Sequence, residues 1–194
     1  SIPLERRLKT FDRLLAAPIS FYSILAGKVM AGALYGLAVG FIPVAIGIMV
    51  LRASVLRPDL LIFSLILSSL CFAAMGVMFA SFPTEYPGNV TIALNFVRLP
   101  MIFVSGVFVP LSGAPLLMKL VSLFSPLTYA NDLARAAFGL NTILNPTISS
   151  IGLLAFMVLF MALGTWLHEK LMEWMEAPRG HKRSVKEGVK THMR

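Results

Sequence analysis

The sequence predicts an all-α integral membrane protein. It has four transmembrane helices, an N-terminal amphipathic cytoplasmic helix, and two short re-entrant or interfacial helices before the last span. Three observations predict this. Of 194 residues, 57% are hydrophobic and 13% charged, and the mean hydropathy is +0.81. A soluble domain carries about 25% charged residues, so this much apolar sequence cannot be hidden inside so small a globule. The charges that exist leave long stretches empty between them, and Lys and Arg crowd the two ends. Disorder, a disulfide scaffold and an ordinary cytosolic enzyme are excluded.

Each element follows from the placement of charge and proline. Residues 1–23 form the cytoplasmic segment. Pro3 suits a first helical turn, and Leu4, Leu8, Phe11, Leu14 and Leu15 recur on one face. Glu5, Arg6, Lys9, Asp12 and Arg13 occupy the remainder, with Glu5 four residues ahead of Lys9 as a favourable pair. Pro18 ends the helix. Such a helix lies at a membrane surface, as an interfacial anchor or as a docking element for a cytoplasmic partner.

The transmembrane region is 24–167. A crossing needs about 20 apolar residues. No charge falls between Lys28 and Arg52, or between Asp59 and Glu85, which gives spans near 24–51 and 60–82. A third, 89–108, contains Arg98 and Pro100; a fourth, 148–167, follows the uncharged stretch after Arg135. The connection 109–147 is too long and apolar for a plain loop. Pro110, Pro115, Pro126 and Pro146 divide it into Leu116–Phe124 and Leu127–Leu140, both too short to span. Two short helices dipping in from the outer face fit best. The alternative, a fifth span, needs a helix through Pro126 and past Asp132 and Arg135.

Orientation follows from the cations. Arg6, Arg7, Lys9, Arg13 and Lys28 precede the first span, and Lys170, Arg179, Lys182, Arg183, Lys186, Lys190 and Arg194 follow the last. The two intervening connections hold only Arg52 and Arg57, and Lys119 and Arg135. Both termini are therefore cytoplasmic, with Tyr22, Trp166 and Trp174 as interfacial aromatics. The formal charge of +8 is read as anchoring to anionic membrane lipid rather than to nucleic acid. The tail 168–194 is basic, and beyond Ala177 polar and mobile.

Two stretches resemble a known family. One is Glu5-Arg-Arg-Leu-Lys-Thr10-Phe-Asp-Arg-Leu14-Leu-Ala-Ala-Pro18, with Gly27-Lys28 following. The other is Asn95, then Leu99-Pro100-Met-Ile-Phe-Val-Ser105-Gly106-Val-Phe-Val-Pro110, then Pro126-Leu-Thr-Tyr129-Ala-Asn-Asp132-Leu-Ala-Arg135. In this order, bracketing the right spans, they resemble ABC-2 type transporter permeases, the membrane subunits of ATP-binding-cassette exporters, from Glu5 to about Lys170. The resemblance implies that Glu5, Arg6, Lys9, Thr10, Arg13 and Pro18 belong to a coupling helix that docks a partner ABC ATPase. It implies that ATP and Mg are used by that partner and not bound here, and that a second permease subunit completes a homo- or heterodimer. It also implies that Pro115–Leu140 corresponds to the family's short outer-face helices. Two departures are visible. Lys9 stands where the family usually has glycine before the threonine, and the family's first two spans are absent, as in a fragment, a mis-started frame or a half-sized variant.

Other features follow from the residues. Gly32, Gly36 and Gly40 repeat every fourth position and permit close helix approach, within the subunit or across a dimer. Pro43 is expected to kink that span. Arg98 sits near mid-membrane, where a lone arginine costs about 2.5–3.5 kcal/mol on insertion scales. It should face protein or water, with Asn95 as one partner, either beside the translocation route or as a structural residue. Asp132 and Arg135 are three apart and can simply pair, or act in a gate. Arg98, Tyr129, Asp132 and Arg135 are thus the candidates for pathway or gating. Eleven Met residues suit apolar ligands or plain core packing.

Chemistry is sparse. Cys71 stands alone, and His168, His181 and His192 have no ligand-like spacing, so no metal is expected. There is no Gly-x-x-x-x-Gly-Lys-Ser/Thr loop for ATP and no catalytic constellation. Three classes remain: an exporter permease driven by a partner ATPase, a non-transporting membrane anchor, and a membrane enzyme. Of these the permease accounts for the most residues.

Overall fold

The computed structural model describes residues 21–81, 87–108 and 114–191. The amphipathic segment 1–20 lies outside them. Six helices are described: α1 (Phe21–Met49), α2 (Pro58–Ala80), α3 (Pro87–Val104), α4 (Leu116–Ser122), α5 (Pro126–Ala137) and α6 (Pro146–Thr191), with no strand among the described residues. Four of the six open on a proline, which fits the first turn because its missing N–H has no partner there anyway.

Three helices are long and apolar enough to cross a bilayer: α1 from Tyr22, α2, and α6 as far as Leu167. The third expected span is the helix α3, at 18 residues about 27 Å long against a hydrocarbon core of about 30 Å. It stops at Val104 rather than Phe108. The Ser105 hydroxyl turns back to the Ile102 carbonyl at 3.0 Å, and Gly106 takes a φ of 78°, in the left-handed region that ends helices. Length and composition alone therefore admit three crossings where the charge pattern predicts four.

Two further features concern α1 and the tail. Helical structure in α1 continues through Pro43 and ends where Arg52 takes a φ of 51° and the Ala53 N–H reaches the Gly47 carbonyl at 3.0 Å. The tail prolongs α6 to Thr191. His168–Ala177 is rich in Glu, Lys, Leu and Met, which are not branched at Cβ and lose little rotamer freedom in a helix.

α2 is the hub, packed against α1, α5 and α6. Leu67 and Cys71 of α2, Ala130 and Leu133 of α5 and Leu153 of α6 form the buried cluster, with Phe72, Tyr129, Phe156 and Phe160 around it. The small residues of α1 set its distance from α2. A Cβ built at Gly32 would lie 3.2 Å from the Ala73 Cβ, at Gly36 3.5 Å from the Ser69 Cβ, and at Gly40 3.8 Å from a Leu65 methyl. The pairing steps four residues forward on α1 as it steps four back on α2, so the glycine face is used within the subunit. Gly32→Leu should destabilise the fold by about 2 kcal/mol by prising these helices apart. Gly27→Leu, where a Cβ meets nothing within 4 Å, should stay within about 0.5 kcal/mol of wild type. Unfolding titrations in mixed micelles compare the two.

Several hydroxyls of the long helices are satisfied locally. Ser64 donates to Leu61, Ser81 to Val77, Ser150 to Pro146 and Thr165 to Ala162, each to a carbonyl three or four residues back on its own helix.

Candidate functional site

Several helix ends come together at one end of the bundle. The connection 50–57, the end of α3, the short helices α4 and α5, and the loop 138–145 all meet there. Sequence folds α4 and α5 into a tight corner. Pro115 and Pro126 each start a helix, and only Leu123–Ser125 separates the two. The last carbonyls of α4 have no partner within that helix, and the first turn of α5 supplies one for two of them. The Thr128 hydroxyl donates to the Ser122 carbonyl at 2.6 Å, and the Tyr129 hydroxyl to the Leu123 carbonyl at 2.9 Å.

Tyr129 also lies against α6. Its ring sits 5.9 Å from that of Phe156 and occupies the space over Gly152, whose absent side chain makes the room. Gly152 was not legible in the sequence as a contact residue, and only its place among large residues at Ile151, Leu153 and Leu154 marks it.

Asp132 is 2% exposed and does not pair with Arg135. One carboxylate oxygen accepts the Ile143 N–H at 2.7 Å, and the other accepts the Leu144 N–H at 3.0 Å and the Ser149 hydroxyl at 3.0 Å. These donors lie just before α6 and in its first turn, where a negative charge also favours the positive end of the helix dipole. The expected intrahelical pair fails for a physical reason: a buried carboxylate gains more from three fixed donors than from one guanidinium in reach of water. Arg135 turns outward instead, its Nε donating to the Asn141 carbonyl at 3.0 Å.

The loop that Asp132 holds is fastened at its other end. Gly139 has a φ of 70° after α5, and a Cβ there would meet a Leu56 methyl at 2.9 Å. The Arg57 N–H donates to the Ala137 carbonyl at 3.0 Å. An ion pair joins Arg57 to Asp59 at 3.6 Å, exposed on both sides.

Arg98 is exposed on α3 with no partner among the described residues, Asn95 included. Its helix is exposed along most of its length, with Ile92, Phe96, Leu99 and Phe103 uncovered. The structure thus brings Tyr129, Asp132 and Arg135 to one end and leaves Arg98 apart. Glu5, Arg6, Lys9, Thr10, Arg13 and Pro18 lie outside the described residues. About midway along α6, Lys170 stands over the Trp166 ring, its Nζ 4.7 Å from the centroid.

Comparison with known proteins adds to this geometry. Residues 2–139 match the family described as ABC-2 type transporter. The chain is also similar to proteins named inner membrane transport permease YadH. It is 26% identical over 159 residues to those of Escherichia coli K12 and Shigella flexneri. That alignment covers 81% of this chain and 61% of each relative, so the chain spans about three fifths of their length. No solved structure matches it.

Proposed function

This chain belongs to the ABC-2 type transporter family, and we propose that it is a permease subunit through which a separate ABC ATPase drives export of an amphiphilic substrate. It is a multi-pass membrane protein, and the relatives named as inner membrane permeases support a place in the inner, cytoplasmic membrane. The observation that carries the reading is the family match, which runs from residue 2 across the amphipathic segment into α5.

In this reading α3 is the fourth crossing, shorter than the others and tolerating Arg98 because a second subunit or a wet pathway faces it. The α4–α5 corner dips into the outer leaflet. Its buried carbonyls are capped by Thr128 and Tyr129, as backbone broken at membrane depth requires. Both termini are cytoplasmic, and Glu5–Pro18 presents its charged face to the ATPase. Closure of the ATPase pushes that helix, and the spans respond by alternating access, with no covalent chemistry in this chain. Drug-like molecules, lipids and polysaccharides are the substrate classes that fit such a route.

The test is co-purification with the ABC ATPase encoded nearest to its gene. Wild type is compared with a variant carrying Glu5→Arg and Arg13→Glu. The reversed charges should reduce recovery of the ATPase at least about tenfold, the loss of one or two charge-assisted contacts, with membrane insertion unchanged. An inserted wild-type chain that neither binds nor stimulates the ATPase overturns the permease reading and leaves a non-transporting anchor.

A further inference from the structure

We propose that the cavity between the end of α3, the helices α4 and α5, and the loop 138–145 is a binding site for a phosphate group. The cavity is about 370 Å³, within the size range of small-ligand sites, about 300–1,000 Å³. Its polar lining is Lys119 from α4, Asn131 and Arg135 from α5, and Asn141 and Thr142 from the loop. Two cationic residues, two carboxamides and a hydroxyl residue line it, and among the described residues none of the lining is acidic. That is a donor set for an anion.

One of the two cationic groups is held in place rather than free to wander. The Arg135 guanidinium is fixed by its Nε bond to the Asn141 carbonyl, which itself belongs to the lining. Its two terminal nitrogens then remain for a ligand, in the planar fork that matches phosphate oxygens. Asp132 is close in sequence and would cancel this charge if it faced the same way. Its oxygens are instead engaged by the Ile143 and Leu144 N–H groups and Ser149. The Asp132 clasp therefore has a second effect: it shapes the loop that carries Asn141 and Thr142 and keeps the carboxylate out of the cavity.

Phosphate suits the arrangement better than carboxylate. Its oxygens diverge tetrahedrally and reach donors on α4, α5 and the loop at once, while a carboxylate presents only two oxygens in one plane. The space left over accommodates the glycerol or sugar to which the phosphate is attached. Two sources carry that chemistry: the headgroup of an anionic phospholipid in the surrounding leaflet, and a soluble phosphate ester. The assignment of the cavity to the outer side rests on the topology proposed above. Its affinity for phosphate does not, so the two readings fail separately.

The experiment uses the full chain in nanodiscs. In phosphatidylcholine discs, inorganic phosphate and sn-glycerol 1-phosphate are titrated and followed by ³¹P line broadening. In discs that also contain phosphatidylglycerol, native mass spectrometry counts the anionic lipid retained by the released protein. Lys119→Gln should weaken binding about tenfold, the loss expected for one charge-assisted hydrogen bond. Arg135→Lys keeps the charge but loses the fork and should also weaken it. Arg52→Gln, a cation outside the lining, should change nothing. Retention of phosphatidylglycerol alone identifies the source as a headgroup, and binding of the free esters identifies a soluble phosphate. The proposal is overturned if wild type binds neither, or if Lys119→Gln and Arg52→Gln weaken binding equally, the sign of diffuse charge. Unchanged ATPase recovery with Lys119→Gln separates a failed site from a failed permease.

Discussion

Asp132→Ala is expected to destabilise the folded chain by about 3–5 kcal/mol, because it strands three donors in a buried place. The donors are the Ile143 and Leu144 amides and the Ser149 hydroxyl, all within 3.0 Å of the carboxylate. Asp132→Asn should cost less, since one carbonyl oxygen still accepts while the new amide faces a donor. The readout is an unfolding titration in mixed micelles together with amide hydrogen exchange at Ile143 and Leu144, which should lose protection first. Arg135→Gln is the control. If Asp132 were held chiefly by Arg135, that variant would expose the same two amides; the geometry requires that they stay protected.

Gly152→Ala should be the next most damaging single change. A Cβ there would lie 2.5 Å from Tyr129 Cε1 and 2.7 Å from Cδ1. The ring must move, and its hydroxyl must leave the Leu123 carbonyl, now 2.9 Å away. Alanine is the better helix former by about 1 kcal/mol. Overpacking by about 1–3 kcal/mol together with a lost hydrogen bond of about 1 kcal/mol still leaves a net loss near 2 kcal/mol. Tyr129→Phe isolates the hydrogen bond and should cost only about 1 kcal/mol. Combining Gly152→Ala with Tyr129→Leu should recover part of the loss, and unfolding titrations of the four chains form the cycle that measures the coupling. Full additivity would mean that the ring and the glycine do not meet.

The helices were legible because charge and proline act locally. Lys28, Arg52, Asp59 and Arg135 bound the uncharged stretches, and Pro115, Pro126 and Pro146 mark helix starts to within two residues. The same signals carried α3 too far. The stop at Ser105–Gly106 depends on a hydroxyl turning back and on a left-handed glycine, and neither alters hydropathy. The site was less legible. Asp132 and Arg135 at a spacing of three read as a pair, whereas the true partners of Asp132 lie 11 to 17 residues downstream and come within reach only when the loop has folded. Thr128 and Tyr129 sit in the family-like stretch Pro126–Arg135, yet their task of closing α4 appears only once the corner between two short helices exists. Nothing in the order of residues announces that Gly152 makes room for a tyrosine.

The hydroxyls of α2 and α6 that turn back on their own helices have a mechanical consequence. Ser64, Ser150 and Thr165 bolt nothing to a neighbour, so at those positions one helix can shear along the next without breaking a directional bond. At the Asp132 end the opposite holds, since separating α5 from α6 and the loop that leads into it ruptures three. Compliance is therefore unevenly distributed along the bundle axis. Any large excursion of α6 will pivot about the stiff end, and its amplitude will grow with distance from Ser149.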